Sequence, residues 1–390
     1  MRIADEWRSM LRRFAEHLRG ERTSDLGAAT MTVAASAYTD PARFELERTR
    51  LFREQPLLVG FSRDLPAAGD RMCFDEAGVP VVVARAEDGG VRAFLNLCPH
   101  RGTRLVETCE RSRRLTCPLH GWSFDLAGRL VGMAQPAAFD GLDRARHGLV
   151  ALPAAEWAGM IFVRATPGPA IDVPGFLGTM APLLEALDLG RLERVRLDRM
   201  PVATNWKAAL DTFAEAYHVP VLHAESLATN LVPFVMLFDH YGRHHRYSGP
   251  GLELADRLAR PEAEWPTGGY QAVHYLFPNT TIAFTHAFDG ATPVASMFRL
   301  FPGASVGEAV SLGSTYRRAG EGDVPDEQIS HMHDVVCAIV RDEDYRVANA
   351  SWPSLAAAPP GLRLVLGRSE PLLQRYHRDI ADAIGLPLPE

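Results

Sequence analysis

Cys98-Pro99-His100-Arg101-Gly102 and Cys117-Pro118-Leu119-His120-Gly121-Trp122 decide how the rest of the chain is read. Each run pairs a cysteine with a histidine, and sixteen residues separate His100 from Cys117. Two thiolates and two imidazoles on a pair of loops are donors of borderline softness, suited to a metal centre. Two centres are open on that chemistry. One is tetrahedral zinc, which takes Cys and His at short spacings. The other is a 2Fe-2S cluster with Cys98 and Cys117 on one iron and His100 and His120 on the second, where imidazole ligation raises the reduction potential. The Cys-x-His form of the first pair is unusual for a zinc finger and suits the cluster.

The chain around these loops has 390 residues, which favours two domains over one. Its 47% apolar and 23% charged content is that of an ordinary globular protein. A net charge of −7 argues against a nucleic-acid binder, which needs a basic excess. Of the 41 basic residues only Lys207 is a lysine, and its place in a motif described below points to a site that wants a compact ammonium. Cys73, Cys98, Cys109, Cys117 and Cys337 make no disulfide framework, so a reducing, cytoplasmic location is expected, with Cys73 and Cys337 as plain core residues. No signal peptide or membrane span is apparent.

Ile3, Trp7, Met10, Leu11, Phe14 and Leu18 recur at helical spacing and predict an amphipathic helix over 2–19. Asp5, Glu6 and Glu16 dilute its basic face, so packing onto the protein is expected rather than a membrane surface. Residues 20–37 read as a mobile link. Asp40 as N-cap and Pro41 at the first helical position then open a helix running to about Phe52. Short strands follow over 79–84, 91–96, 122–125 and 159–163, a small antiparallel β domain that carries both Cys-His pairs on loop tips. Ala165–Pro174, rich in Pro and Gly, reads as a boundary. This gives N-terminal helices over 1–50, a β domain over 51–165 and a second domain over 166–390, with a helix over 176–189 and a strand over 194–201.

In the second domain Asn205-Trp206-Lys207 opens a predicted helix that continues through Glu215 and His218, with His223 five residues further on. Five residues on an ideal helix turn side chains apart by about 140°. Pro220 disturbs the helix between them and can return both imidazoles to one point. A 2-His-1-carboxylate set with open positions is how non-haem iron(II) oxygenases bind dioxygen. The carboxylate such a set needs must come from elsewhere in the chain.

Cys-Pro-His-Arg-Gly with Cys-Pro-x-His-Gly-Trp, followed by Asn-Trp-Lys and Glu215-x-Tyr217-His218-x4-His223, resembles the alpha (terminal oxygenase) subunits of the Rieske non-haem iron ring-hydroxylating oxygenases. The likeness spans about residues 38–380. It implies an α+β fold: an antiparallel β Rieske 2Fe-2S domain plus a helix-grip-like catalytic domain with an antiparallel sheet and helices. It implies a mononuclear Fe(II) held by His218, His223 and Asp344, with Asp342 as the competing carboxylate. It assigns Glu215 and Asn205 to the catalytic machinery, Glu215 as a bridge from His218 to His120 of a neighbouring subunit. It further implies O2 as co-substrate and electrons from NAD(P)H through a reductase and possibly a ferredoxin. The expected assembly is a homotrimer, possibly with a small beta subunit.

The apolar run 227–238, with Leu231, Val232, Phe234, Met236 and Phe238, is expected to wall a substrate pocket, with Phe234, Phe284 and Met297 as lining candidates. Its aliphatic character favours hydroxylation of an apolar aromatic or cyclic compound. N- or O-demethylation is the alternative, and an electron-transfer protein holding only the cluster is the reading outside the class. His244 and His245 read as surface residues in a flexible basic stretch. Gly303-Ala304-Ser305-Val306-Gly307 matches a hydrolase nucleophile elbow but lies between predicted strands, so it reads as a hairpin turn. No Gly-x-Gly-x-x-Gly follows a strand, so electrons must arrive from a partner.

Overall fold

The computed structural model describes residues 2–20, 24–109 and 111–389. Its contacts divide the chain into two units, one of residues 48–176 and 188–192, the other of residues 1–47, 177–187 and 193–390. No helix among the described residues is long and apolar enough to cross a membrane.

The smaller unit is built from three antiparallel sheets. Arg71–Phe74, Val81–Arg85, Val91–Leu95 and Ala151–Leu152 form the first, and Ala154–Trp157, Met160–Val163 and Leu57–Phe61 the second. Leu115–Thr116, Ser123–Phe124 and Leu130–Gly132 form the third, a short meander between the two Cys-His loops and the rest. Val82, Phe94, Leu115, Phe124 and Leu130 make a core that includes Cys98 and Cys117. The loops therefore rest on packed apolar side chains.

The larger unit is organised on a seven-stranded sheet in the order Leu192–Val202, Ala309–Arg318, Pro293–Pro302, Thr280–His286, Ala272–Leu276, His244–Ser248, Leu237–Tyr241. Pairs from Ala309–Arg318 onward are antiparallel. The Gly303–Gly307 segment is the turn of the Pro293–Pro302/Ala309–Arg318 hairpin, so the elbow reading is excluded by its strand-to-strand setting. A long helical rod, Asp326–Ile339 and Tyr345–Ala356 joined by a π turn at Val340–Asp344, packs on this sheet. This is the antiparallel sheet with helices expected of the catalytic domain.

The N-terminal helix, Ile3–Arg19, buries Trp7, Met10, Leu11, Phe14 and Ala15 against Val232, Val235, Leu237 and Trp265 of the larger unit. Trp7 Nε1 donates to the carbonyl of Gly268 at 2.9 Å. Asp40 caps the helix Pro41–Arg50, its Oδ1 accepting from the amide of Ala42 at 2.8 Å.

Several expectations need correction. The expected mobile link over 20–37, of which residues 21–23 lie outside the described residues, contains an ordered strand: Met31–Ala34 pairs with Arg363–Leu366 as a two-stranded sheet. The helix over 176–189 is interrupted by a 3-10 turn at Gly178–Met180, because Gly178 takes a φ of 55°. His244 and His245 are 2% and 1% exposed on an interior strand, so the basic stretch is neither flexible nor at the surface. The strand His244–Ser248 is buried along nearly its whole length, so its run of His244, His245 and Arg246 shows no inside–outside alternation in the sequence.

Candidate active site

The two Cys-His loops share one construction. The amide of Gly102 donates to the carbonyl of Cys98 at 2.9 Å, and that of Gly121 to Cys117 at 3.0 Å. Each cysteine amide in turn donates across the loop, Cys98 to Thr103 and Cys117 to Trp122. Closing so tight a turn puts Gly102 and Gly121 at φ of 76° and 70°, where a side chain is disfavoured. Both cysteines are buried, whereas His120 is exposed and His100 half-buried. Burial raises the Cys98 thiol, against amide hydrogen bonds from His100 and Arg101 to its sulfur. His100 stacks on Trp122 at 4.8 Å and stands 4.7 Å from the His120 ring, and its buried Nδ1 has no hydrogen-bond partner among the described residues.

A single tetrahedral ion would draw all four donors to one point. Among the described residues, three donor atoms converge within 4.8 Å at Asp198–His333–Cys337 and at His218–His223–Asp344, and the Cys98–His120 set is not such a group. Two cysteines on one side and two histidines on the other, with an orphaned imidazole nitrogen, fit a two-iron cluster rather than a lone zinc.

The second constellation sits in the larger unit. Here the predicted helix through His218 is cut short: Trp206–Asp211 is helical, 212–218 is irregular, and Val219–Leu222 forms a single turn with His218 as its N-cap. Pro220 therefore starts a turn instead of breaking one. Glu215 does not share a helix face with His218; it lies in the irregular segment. Its Oε2 accepts from the amides of Tyr217 and His218, the latter at 3.2 Å, and its Oε1 pairs with His218 Nδ1.

On the far side of the turn His223 Nδ1 meets Glu343 Oε2 at 2.7 Å, and Ser226 Oγ donates to the same oxygen at 2.9 Å. Each imidazole is thus gripped at Nδ1 by a glutamate, leaving Nε2 free to face inward. Both inward nitrogens look at Asp344 Oδ1, from 3.6 Å for His218 and 3.4 Å for His223. Donors bonded to one ion at about 2.1 Å would be separated by about 3.0–3.4 Å. Asp342 instead points outward, paired with Arg341 at 2.7 Å with its side chain 60% exposed.

Burial alone would push His223 down, but Asp344 and Glu343 hold it above its ordinary value. Glu343 is lowered, the bonds from His223 and Ser226 outweighing desolvation. Three carboxylates around two imidazoles give a pocket whose charge suits a cation. Glu343 was legible in the sequence only as a neighbour of Asp344; nothing in the spacing marks it as the holder of His223.

Asn205 and Lys207 stand elsewhere. Asn205 Oδ1 accepts from the Lys207 amide at 3.0 Å and Nδ2 donates to the Val306 carbonyl at 3.0 Å. It caps a helix and ties down the hairpin turn, and among the described residues its side-chain hydrogen bonds go to Lys207 and Val306 and not to the His218–His223–Asp344 cluster. Lys207 is buried with Nζ 2.5 Å from Glu47 Oε2, which also accepts from Trp206 Nε1 at 2.9 Å.

A cavity of about 320 Å³ is lined in part by Ala216, Val219 and Pro220 of the turn that carries His218. Leu231, Phe234, Tyr247 and Phe284 line its other sides. Tyr247, which lines the cavity, is raised by burial and then by the negative charges of Glu215 and Asp344. Phe234 and Phe284 line the cavity; Met297 does not, being fully buried within the sheet. Val232 lines the cavity and also packs on the N-terminal helix, which backs this wall.

With this geometry in view, the likeness to known proteins is specific. The family model for the ring hydroxylating alpha subunit (catalytic domain) matches residues 188–386, just over half of the chain. The chain belongs to this family. A second model, the Rieske [2Fe-2S] domain, matches residues 55–149. The cofactors of this ring-hydroxylating alpha-subunit family are the Rieske cluster and a mononuclear non-haem iron.

Among curated relatives, the glycine betaine monooxygenase oxygenase subunit of Chromohalobacter salexigens is 32% identical over 230 residues, 58% of this chain and 49% of that protein. The carnitine monooxygenase oxygenase subunit of Escherichia coli K12 is 30% identical over 194 residues, 49% of this chain and 52% of that protein. Biphenyl 2,3-dioxygenase subunit alpha of Rhodococcus jostii RHA1 is 32% identical over 188 residues, 46% and 41%. The chain thus spans about half the length of the curated relatives it matches. In fold it is similar to a quaternary ammonium Rieske monooxygenase in complex with L-carnitine, with a TM-score of 0.75, 19% identity and coverage of 90% and 95%. Naphthalene 1,2-dioxygenase from Rhodococcus sp. gives 0.72, 19%, 97% and 98%.

Proposed function

We propose that the chain is a terminal oxygenase that hydroxylates a C–H bond of a small, mainly apolar organic molecule held in the cavity beside His218. The observation that carries this is the convergence of His218, His223 and Asp344 next to a cavity with apolar walls. In this reading those three residues hold iron(II), and Cys98, His100, Cys117 and His120 hold the 2Fe-2S cluster. The iron, when bound, supplies activation of O2 at the coordination positions the three side chains leave open.

The protein's own groups then do four things. Glu215 and Glu343 fix the ring orientation and keep the proton on Nδ1 of each imidazole. Apolar walls exclude water from the reacting end of the substrate. Tyr247, in the cavity wall and raised by burial and by the charges of Glu215 and Asp344, stays protonated and can donate to a polar group on the substrate. Glu215 Oε1 has a second lone pair after pairing with His218, which can accept from His120 of a neighbouring subunit and so link the two centres.

Exposure supports that last contact: Leu119 beside His120 is 53% exposed, and Tyr217 and Val221 beside His218 are 59% and 78% exposed. Apolar surface at both ends of the electron path fits an interface between copies. Electrons come from a partner reductase or ferredoxin, and the protein works in the cytoplasm.

Among the described residues the cavity lining is apolar and aromatic with Ser248, Gln271 and Thr285 as its polar members, which favours a neutral aromatic or cyclic substrate. One observation favours a second reading. Phe234, Tyr247 and Phe284 give the cavity three aromatic rings, which can hold a quaternary ammonium by cation–π contact. The similar glycine betaine and carnitine monooxygenases carry such substrates in their names. Hydroxylation of an N-methyl group would then release formaldehyde.

The test is substrate-stimulated O2 uptake by fully loaded protein with a reductase, across neutral cyclic compounds and quaternary amines. Formaldehyde release separates the second reading from the first. Iron at two atoms per chain instead of three, with no stimulated uptake, would sink both.

A further inference from the structure

We infer that Asp198, His333 and Cys337 form another metal site, for a borderline divalent cation of the zinc class. His333 and Cys337 stand four residues apart on the helix Asp326–Ile339 and so share one face. That helix packs on the strand Ala309–Arg318, and the neighbouring strand Leu192–Val202 brings Asp198 alongside. The donor atoms of all three lie within 4.8 Å of one another. His333 Nε2 is the hub, 3.4 Å from Cys337 Sγ and 3.4 Å from Asp198 Oδ2.

Those separations are the edges of a coordination tetrahedron. Bonds of about 2.0–2.1 Å to nitrogen and oxygen and about 2.3 Å to sulfur, at the tetrahedral angle, put the donors about 3.3–3.6 Å apart. The outer nitrogen of the ring is also held: Thr315 Oγ1 lies 2.9 Å from His333 Nδ1. A side chain gripping the second nitrogen of a ligating imidazole fixes its tautomer and its aim. A histidine that merely filled space would have no need of three polar partners at 1% exposure.

One thiol, one imidazole and one carboxylate select zinc, cobalt or ferrous ions over magnesium or calcium, which take oxygen donors. Asp198, with its side chain 39% exposed, gives the ion a way in and leaves a fourth position for water. Arg196 competes for Asp198, but its contacts there are long, 3.4 Å, and it is also anchored to Asp334 at 3.3 Å and Ser330 at 3.0 Å. An ion at this point would clamp to the sheet the helix that leads into the π turn bearing Asp344. The site is separate from the iron cluster and does not depend on the oxygenase reading.

Cobalt(II) titrated into protein with both iron centres filled tests this. Expected is uptake of one further cobalt per chain, with thiolate-to-cobalt charge-transfer absorption and the visible bands of a four-coordinate ion, reversed by zinc. Cys337→Ser and His333→Gln should lose the charge-transfer band, and Thr315→Val should bind cobalt about 10–100-fold more weakly. Absence of uptake, or an equal band in Cys337→Ser, overturns the assignment. If the buried variants fail to fold, Asp198→Asn on the exposed edge decides: at least about tenfold weaker binding supports the site, and unchanged binding overturns it.

Discussion

Replacing His245 with phenylalanine tests how the interior of the sheet carries a buried base. The ring is 1% exposed and stacked on Tyr275 at 5.4 Å and 12°, and neither nitrogen has a hydrogen-bond partner among the described residues. Burial first, then the positive neighbours His240, His244 and Arg375, push its pKa down to about 3. Asp379 Oδ2 stands 3.8 Å from Nε2 and would oppose this. Its influence is small, because burial raises that carboxyl and Arg375 Nε already holds it at 3.0 Å.

An unfolded histidine titrates near 6.5, so the folded value is depressed. The neutral ring contributes stability that is present above pH 6.5 and lost as pH falls from there toward 3. Between pH 7 and pH 5 the loss integrates to about 2 kcal/mol, and it hardly changes for any folded value below about 4. Phenylalanine keeps the stack and removes the titration. His245→Phe should therefore lose about 2 kcal/mol less than the parent over that interval. Urea unfolding of both proteins at the two pH values, followed by tryptophan fluorescence, reads the difference. Equal acid losses, or a His245 ring resonance in the folded protein that titrates near 6.5, would refute the reasoning.

Four further outcomes follow from the same contacts. Asp344→Asn should deplete the mononuclear iron while Asp342→Asn leaves it intact, as iron analysis and ferrous-site spectroscopy of the two variants will show. Glu343→Gln should weaken iron binding about 10–100-fold without touching the Rieske spectrum, because it loosens His223 but removes no ligand. Glu215→Gln should keep both metal centres yet lose most turnover; equal turnover, measured as product per O2 consumed, removes the bridge proposal. Lys207→Met should destabilise by about 3–5 kcal/mol, since the buried Glu47 carboxylate would lose its ammonium and keep, among the described residues, the Trp206 indole at 2.9 Å and Arg43 at 3.4 Å, and a midpoint shift under about 1 kcal/mol would contradict that.

The sequence was most legible where chemistry is local. Cys98, His100, Cys117 and His120 lie on two short loops whose glycines close the same turn, so the spacing carries the geometry. The N-terminal helix announced itself by its apolar stripe, and Asp40 by its place before Pro41. What escaped depends on contacts across the fold. His244, His245 and Arg246 look like a solvated basic run, yet strands on both sides bury them, and Arg246 is offset by Glu6 and Asp239 at 2.6 and 2.7 Å. Lys207 owes its identity to Glu47, 160 residues earlier in the chain. Cys337 is buried as a core residue should be, and only the fold shows that its neighbour His333 also meets Asp198 and Thr315 from two strands.

The π turn is where local and distant requirements meet. Asp342, Glu343 and Asp344 are consecutive, and on a regular helix neighbours point about 100° apart. The site asks for two of them: Asp344 facing both inward nitrogens and Glu343 behind His223, with Asp342 left to solvent. Val340–Asp344 meets that demand by widening one turn of an otherwise α-helical rod. Such single-turn bulges gather at functional sites because they re-aim side chains without ending the helix. The helix periodicity that made Asp344 and Asp342 close rivals was therefore correct on both sides of the site and wrong at the site itself. A residue pattern read at 3.6 per turn carries no trace of the one turn that departs from it, and the choice between the two aspartates rests on that turn.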